Sequence, residues 1–211
     1  MKGKFIVFEG IDGSGKTTQI NQLSNWLNET DLIPENNQLV ITREPGGTQL
    51  GKSIRSLLLD TSQEINPDSI TELLLYAADR AQHVNEIIRP SLNKGDWVVS
   101  DRFCGSTLAY QGYGRKLDIK LIKDLETIAT QGISPDITFL LDIPVDESIK
   151  RRINRKEDRI EKEGKEFLSN VSLGFKKLCE DSKWKKISAI KSKEDIISEI
   201  KYEIKKLLKT K

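Results

Sequence analysis

Short apolar runs alternate with longer amphipathic stretches along the whole chain, and this alternation predicts the architecture. Runs rich in Val, Ile, Leu and Phe predict strands near residues 4–9, 38–43, 97–101, 136–143 and 185–190. Strands that are separated by helices form parallel sheets with both faces covered. We therefore predict an α/β fold, a doubly wound five-stranded parallel sheet with helices on both faces. In such folds ligands bind at the carboxyl ends of the strands.

Polar residues mark where several helices begin. We expect Asn66 to cap a helix that continues with a proline and an acid, and Asp146 and Ser192 to cap two later helices. Residues 31–38 predict a polar surface loop, and residues 155–164 predict a charged, mobile one.

Length and composition favour a single globular domain over residues 1–211. With 211 residues, of which 36% are hydrophobic, the chain can form one sizeable core. No apolar run approaches the length of a membrane span, and the first residues lack a signal-peptide pattern, so we expect a cytoplasmic protein with no membrane association. Cys104 and Cys179 lack the spacing of a zinc site or a disulfide framework.

Charge adds little to this picture. The net charge is +2, and the basic residues concentrate in the last third of the chain, where acidic residues are interspersed with them. Interspersed charges with few aromatic residues favour a solvated helix surface over a surface that binds nucleic acid. We therefore expect no nucleic-acid partner.

The strongest chemical signal is a glycine-rich turn directly after the first predicted strand. Residues 10–17 read Gly-Ile-Asp-Gly-Ser-Gly-Lys-Thr and fit the pattern G-x-x-x-x-G-K-[ST]. Glycines let backbone N–H groups converge on a phosphate, and the next helix turns its positive end toward the same anion. Lys16 is expected to reach the outer phosphates and Thr17 to bind Mg²⁺. The turn therefore predicts binding of a nucleoside triphosphate.

Other predicted strands also end in charged residues. Arg43 and Glu44 enter a proline-glycine turn after the second strand, and Asp101 and Arg102 end the third. A carboxylate beside the phosphate loop suits Mg²⁺, and an arginine offers two parallel hydrogen bonds to a phosphate. Asp142, at the end of the fourth strand, is the alternative carboxylate for the metal. Arginines at several strand ends imply a second anion, which favours phosphoryl transfer over a nucleotide-dependent switch.

One match to a known pattern is dismissed by its position. Residues 93–96, Asn-Lys-Gly-Asp, fit the N-K-x-D pattern by which GTPases read guanine. They precede the third strand and therefore lie at the amino edge of the sheet, opposite the phosphate loop. We expect Gly95 to end a helix there.

Three further features are ambiguous on the residues alone. Tyr76 and Arg80 share one face of a helix, which suits a nucleobase, although the pair alone favours a core tyrosine beside a surface arginine. Residues 105–114 offer hydroxyls, an amide and glycines for a polar pocket, or a helix start followed by a loop. We expect His83 to lie on the helix surface or to face a partner, since phosphoryl transfer to a phosphate needs no proton shuttle.

Together these motifs resemble the thymidylate kinase family, which phosphorylates dTMP to dTDP with MgATP. The resemblance implies a P-loop kinase fold and a supply of dTTP for DNA synthesis. It extends over nearly the whole chain and rests on residues 8–18, 42–48, 78–80, 100–102, 108–112, 135–136 and 158–161.

The resemblance also implies roles for individual residues. The ATP-binding set would be Gly10, Ile11, Asp12, Gly13, Ser14, Gly15, Lys16, Thr17 and Thr18. The dTMP-binding set would be Arg43, Glu44, Pro45, Arg55, Tyr76, Arg80, Arg102, Thr107, Tyr110 and Gln111. Within that set Tyr76 would stack on thymine, Arg80 would bind its carbonyl edge, and Tyr110 would lie against the deoxyribose. Thr17 and Asp101 would bind Mg²⁺.

The family's bacterial type supplies a catalytic arginine from a basic lid segment, here at about residues 150–164. Gly13 stands where the eukaryotic type carries an arginine, so the resemblance implies that the lid must provide one. Arg155 is the first choice, with Arg151 and Arg152 as alternatives. The implied catalytic set is Lys16, Arg102, Arg155 and Asp12.

The resemblance carries three smaller implications. The Glu44–Pro45 bond is expected to be cis, and the protein is expected to form a homodimer. Phe103 stands where tyrosine is usual, which puts any hydrogen bond from that position in doubt.

Overall fold

The computed structural model describes residues 3–62, 65–154 and 157–209. In this part of the chain five strands form one parallel sheet in the order β2-β3-β1-β4-β5. The strands are β1 (Phe5–Glu9), β2 (Leu39–Arg43), β3 (Trp97–Asp101), β4 (Ile137–Asp142) and β5 (Trp184–Ser188). The predicted fold class is confirmed, and the predicted strand limits agree with the observed ones to within about two residues.

Helices cover both faces of the sheet. They are α1 (Lys16–Asn28), α2 (Gln49–Leu59), α3 (Ser69–His83), α4 (Arg89–Lys94), α5 (Cys104–Thr107), α6 (Ile119–Thr130), α7 (Val145–Arg152), α8 (Gly164–Leu178) and α9 (Lys193–Lys209). Two π-helical segments, Val84–Ile88 and Leu108–Gly114, continue α3 and α5, and a 3-10 turn, Glu161–Glu163, precedes α8. Over the described ranges, none of these helices has the length and apolar character that a membrane span requires.

β1 is the central strand, and its side chains divide the core into two parts. Phe5 and Val7 pack on one face against the π-helical segment after α3 and against α4. Ile6 and Phe8 pack on the other face, in the larger cluster that includes α1, α8 and α9. A parallel strand buried on both faces is apolar throughout, so the polar residue at its end, Glu9, stands out.

The helix starts agree only in part with the predictions. Asp68, and not Asn66, caps α3, because its carboxylate accepts two backbone N–H groups of the first turn. Asp146 lies inside the first turn of α7, where its charge stabilises the helix end without capping it. Ser192 caps α9 as predicted, and Gly95, at φ 94°, ends α4 as predicted.

Candidate active site

A cavity of about 770 Å³ lies at the carboxyl ends of the strands. Its lining includes most of the residues that the sequence analysis selected, namely Asp12, Gly13, Ser14, Gly15, Lys16, Thr17, Thr18, Arg43, Glu44, Pro45, Arg55, Tyr76, Arg80, Asp101, Arg102, Thr107, Tyr110 and Gln111. Two selected residues, Gly10 and Ile11, contribute backbone carbonyls behind the lining. Arg155 falls outside the described residues.

The glycines of the phosphate loop are required by conformation and by space. Gly10, Gly13 and Gly15 have φ values of 138°, 80° and 94°, which other residues rarely adopt. A Cβ atom on Gly10 would lie 2.7 Å from the carbonyl oxygen of Leu141, and one on Gly13 would lie 2.9 Å from that of Ser148. The loop leads directly into α1, whose free N-terminal N–H groups therefore lie at the cavity.

Lys16 is held inside the loop that precedes it. Its ammonium donates to the carbonyl oxygens of Gly10 at 3.0 Å and Ile11 at 3.4 Å, and it lies 3.8 Å from Asp12 Oδ1. Burial and the nearby charge of Arg102 lower the pKa of Lys16, and the carboxylate of Asp12 partly offsets both effects. The loop thus fixes a cation at the start of α1, where an anion would also meet the helix N-terminus.

Arg102 enters the site from a left-handed backbone conformation with φ 76°. Such a conformation costs about 1–3 kcal/mol in a residue other than glycine, so the surroundings must impose it. The guanidinium donates to the Gly10 carbonyl at 3.0 Å, to Ser106 Oγ at 3.0 Å and to Asp12 Oδ1 at 2.9 Å. It also lies 5.2 Å from the centroid of the Tyr110 ring. These contacts fix Arg102 between the phosphate loop and the helical segment that carries Ser106 and Tyr110.

Asp12 is the counter-ion for these two cations. Burial favours its neutral form, but the charges of Arg102 and Lys16 hold the pKa of its carboxyl well below the usual range. Asp12 therefore stays ionised and lets both cations approach the same loop. Its proximity to Lys16 and Arg102 agrees with its selection from the sequence.

Glu9 received no role from the sequence, yet it controls the approach of Arg102. Its fully buried carboxylate accepts the Phe103 N–H at 2.9 Å, the Ser106 N–H at 3.0 Å and the Ser106 hydroxyl at 2.6 Å. Both residues follow Arg102 in the chain, so Glu9 fixes the backbone turn that directs the Arg102 side chain into the cavity. Burial raises the pKa of Glu9 to about 7, although these hydrogen bonds and the charge of Arg102 oppose that rise. In the sequence, the signal that could have identified Glu9 is a carboxylate at the end of an otherwise apolar strand.

Arg80 lies deep at the far end of the cavity and is 2% exposed. Its Nε donates to Glu44 at 2.7 Å, and its Nη1 donates to Thr107 at 2.8 Å and to Glu126. The guanidinium stacks on Phe103, 5.3 Å from the ring centroid. Phe103 therefore sits in an apolar layer beneath Arg80, where its ring serves as a platform. Burial disfavours the charge of Arg80, but Glu126 and Glu44 more than compensate and raise its pKa.

The prediction that His83 lies on the helix surface or faces a partner is wrong, because His83 is fully buried. Its Nδ1 lies 2.8 Å from Glu44 Oε1, and its Nε2 lies 2.6 Å from Thr42 Oγ1. Glu44 is thus held by His83 on one side and by Arg80 on the other. The Glu44–Pro45 peptide bond is cis, as predicted.

Arg43 and Arg55 add positive charge beside Arg102. Arg55 donates to the carbonyl oxygen of Pro45 at 3.1 Å. Burial and the like charge of Arg43 lower the pKa of Arg55, and Arg102 acts in the same direction. Three cations that repel one another around a cavity favour an anion between them. This part of the cavity is therefore suited to a second phosphate.

Asp101 and Thr17 fit a divalent cation. Asp101 Oδ1 is buried and has no hydrogen-bond partner within the described ranges, which is costly unless a ligand meets it. Both residues line the same cavity and offer oxygen ligands, which Mg²⁺ prefers. Among the described residues, no group of three or more His, Cys, Asp or Glu side chains could hold a metal ion by itself. The alternative carboxylate, Asp142, faces Lys176 at 3.9 Å.

The end of β5 also borders the cavity, which the sequence analysis missed. The lining there comprises Ala189, Lys191, Ser192 and Lys193. Arg151 donates to the Ala189 carbonyl at 3.1 Å, and Gln19 donates to the Lys193 carbonyl at 3.2 Å. The strand-end rule would have found this segment if it had been applied to the fifth strand.

The segment 157–163 also contributes to the cavity, because Asp158, Ile160 and Glu161 line it. Arg152 is buried and pairs with Glu161 at 2.9 Å. Arg159 donates to the Leu58 carbonyl at 2.7 Å and thereby ties the segment to α2. Within this part the structure has a helical turn, Glu161–Glu163, where the sequence predicts only a loop.

Comparisons with known proteins agree with this geometry. The sequence model of the thymidylate kinase family matches residues 8–200. A thymidylate kinase from Prochlorococcus marinus strain NATL1A is 86% identical over 211 residues, which is 100% of both chains. One from Synechococcus sp. strain CC9311 is 58% identical over 187 residues, covering 89% of this chain and 88% of that protein. The crystal structure of thymidylate kinase from Ehrlichia chaffeensis superimposes with a TM-score of 0.77 at 36% identity, covering 97% of this chain and 99% of that one.

The raised pKa of Glu9 predicts a pH dependence of stability. The pKa of Glu9 is about 7 in the folded protein, above the ordinary 4.5, so the folded state binds this proton more tightly than the unfolded state. The contribution to stability is complete below the ordinary pKa and is lost as pH rises through about 7. We expect Glu9→Gln to remove this dependence, so between about pH 5 and pH 8 the wild type should lose free energy of unfolding relative to the variant.

Urea denaturation followed by tryptophan fluorescence measures this difference at each pH. Glu166→Gln, at an exposed position, is the matched control and should parallel the wild type. Parallel curves for the wild type and Glu9→Gln would contradict the prediction.

Proposed function

The chain belongs to the thymidylate kinase family and phosphorylates dTMP to dTDP with ATP, and from that premise we propose how its residues divide this work. One observation carries the proposal. Arg102 touches the phosphate loop through Gly10 and Asp12, and it stacks on Tyr110, a residue from a different segment that lines the same cavity. A single cation at the junction of two anion sites is what transfer between two phosphates requires.

The phosphate loop would bind the donor. Lys16 and the backbone N–H groups of residues 10–18 would hold the β- and γ-phosphates of ATP, and the segment after β5 leaves room for its nucleoside. Thr17 and Asp101 would hold Mg²⁺. The metal, when bound, neutralises part of the phosphate charge and fixes the orientation of the donor.

The opposite side would bind dTMP. Arg43, Arg55 and Arg102 would hold the acceptor phosphate, which relieves the repulsion among them. Tyr110 would lie against the deoxyribose, where burial raises its pKa and keeps the phenol neutral. The base would fill the deep end, with Tyr76 stacked on it and hydrogen bonds from Arg80, Thr107 and Gln111. Glu44 would hold Arg80 in place with Pro45 beside it.

The transfer itself needs little covalent chemistry. The acceptor is already an anionic phosphate oxygen, so no general base is required. Lys16 and Arg102 would stabilise the charge that spreads over the transferring group, with Asp12 holding both cations in position. Residues 157–163 would exclude water, because a hydrated site would hydrolyse ATP.

We propose that Arg155 supplies the lid arginine. The two alternative arginines, Arg151 and Arg152, already contact other groups, and this supports the choice of Arg155. Arg152 is buried against Glu161, and Arg151 donates to backbone carbonyls of Gly13 and Ala189.

We further propose a single domain with the lid segment at about residues 150–164, working in the cytoplasm as a homodimer. Support for the dimer comes from two helices in contact, α2 and α3, which expose large apolar side chains. These are Leu50, Leu57, Ile70 and Leu74, which are between 38% and 52% exposed.

We expect dTMP to stimulate ADP release from ATP more than any other acceptor. The assay offers dTMP, dUMP, dCMP, dGMP and the ribose analogue of TMP in turn, and addition of EDTA should abolish the stimulated rate. A different nucleotide kinase would prefer another acceptor. A rate with dTMP no higher than with water alone would contradict the assignment.

We expect Arg155→Ala to lower kcat by about 10²-fold or more, while KM for dTMP changes little, because the arginine would act on the transferring group. Steady-state kinetics with dTMP measure both constants. Lys156→Ala is the matched control and should retain kcat. If Arg155→Ala keeps the wild-type kcat and either Arg151→Ala or Arg152→Ala lowers it, the catalytic role belongs to the residue whose exchange lowers kcat.

We expect Leu74→Glu to convert a dimer to a monomer, because a buried unpaired carboxylate at an apolar interface is costly. Analytical ultracentrifugation measures the mass of each protein. Leu173→Glu, on α8 and 49% exposed, is the control and should leave the mass unchanged. A monomeric wild type would refute the dimer, and a dimeric Leu74→Glu would refute this interface.

A further inference from the structure

A buried carboxylate, Glu72 on α3, lies behind the cavity-lining residue Gln111, and the family resemblance assigns it no role. We propose that Glu72 is a positioning residue for base specificity: it orients the amide of Gln111 so that the carbonyl oxygen of Gln111 faces the base. This orientation would select a pyrimidine that carries hydrogen on N3, thymine or uracil, over cytosine. The inference rests on the proposed function, because it takes Gln111 to contact the base.

The contact between the two side chains is direct and buried. Gln111 Nε2 donates to Glu72 Oε1 at 2.8 Å. Glu72 is 0% exposed and Gln111 is 1% exposed, so water does not compete for the contact. A buried amide that has such a partner does not rotate freely, because rotation would set two oxygens against each other.

Two arginines keep Glu72 in the form that only accepts hydrogen bonds. Arg115 donates to Oε1 through Nε at 3.2 Å and to Oε2 through Nη2 at 3.1 Å, and Arg159 of the lid segment donates to Oε2. Burial favours a neutral carboxyl, but the hydrogen bonds from Arg115, Gln111 and Arg159 lower the pKa of Glu72. An ionised carboxylate has no hydrogen to donate. The amide nitrogen of Gln111 must therefore point toward Glu72, which leaves its carbonyl oxygen as the group that can accept from another partner.

The rest of the base end has the matching polarity. Arg80 and Gln111 both line the cavity, and Arg80 donates to Thr107, which lies about one helical turn before Gln111. A guanidinium only donates. One donor and one acceptor side by side complement the O4 and N3–H of thymine or uracil. Cytosine presents the reverse pair, an amino group at C4 and an unprotonated N3. A Gln111 amide turned by half a rotation would offer a donor to that N3, and Glu72 prevents this turn.

The decisive variant is Glu72→Gln, which keeps the shape of the side chain but can donate or accept. We expect kcat/KM for dTMP to fall and the ratio of kcat/KM for dTMP to that for dCMP to fall about tenfold or more, the effect of one misdirected hydrogen bond. If Glu72 had only a structural role, its exchange would lower kcat/KM for dTMP and for dCMP alike and leave their ratio unchanged. An unchanged ratio in a folded Glu72→Gln would overturn the proposal.

A double variant exchanges the two groups. In Glu72→Gln with Gln111→Glu, the amide at position 72 can donate to the carboxylate at position 111, whose second oxygen faces the base. We expect the ratio to return toward the wild-type value, whereas Gln111→Glu alone sets two carboxylates against each other and should lose activity with dTMP. The double variant keeps the charge of the cluster, so it carries the test alone if Glu72→Gln does not fold. A ratio no better than that of Gln111→Ala would then overturn the proposal.

Two controls separate this inference from the proposed function. Arg115→Lys keeps the positive charge beside Glu72 and leaves the hydrogen bond between Glu72 and Gln111 in place, so the ratio should stay at the wild-type value. Gln111→Ala tests the base contact itself. If Gln111→Ala leaves the ratio unchanged, the assignment of the base pocket fails; if it lowers the ratio while Glu72→Gln does not, only the role of Glu72 fails.

Discussion

Repulsion among cations is the constraint on which the arrangement of this site depends. Eight positive side chains of the described residues line one cavity, and five of them belong to the phosphate loop and its surroundings, namely Lys16, Arg43, Arg55, Arg80 and Arg102. A cation in a poorly hydrated cavity is stable only beside a carboxylate or a bound anion. Asp12 balances Lys16 and Arg102, and Glu44 with Glu126 balances Arg80. Arg43 is exposed and Arg55 is half-buried, and the acceptor phosphate would complete the balance of their charges.

Several carboxylates of the site act mainly by holding other groups in position. Glu9 holds the turn after Arg102, His83 and Arg80 hold Glu44, and Glu72 accepts from Gln111. The support lies on strands and helices that the core fixes, so the groups that would meet the substrates are oriented before binding. Electrostatic catalysis depends on this preorganisation, because dipoles and charges that are already in position need not reorganise during the reaction.

The sequence predicts the fold and the cavity lining well, because both follow from local patterns. Apolar runs identify the strands, and polar residues at strand ends identify Asp101, Arg102 and Glu44. Buried polar contacts between distant segments are harder to foresee. No sequence motif marks His83 as buried, and only tertiary packing shows that Thr42 and Glu44 enclose it. Glu72 carries no motif of its own, since its partners lie between 39 and 87 residues away.

The close approach at Gly13 has a consequence for how an arginine can reach the transferring phosphate. The backbone of α7 lies so near that any side chain at position 13 would meet the Ser148 carbonyl at 2.9 Å and the Arg152 side chain at 3.3 Å. An arginine in the loop and α7 in this position therefore compete for the same space. In this protein, exchange of Gly13 for arginine would therefore require α7 to move as well.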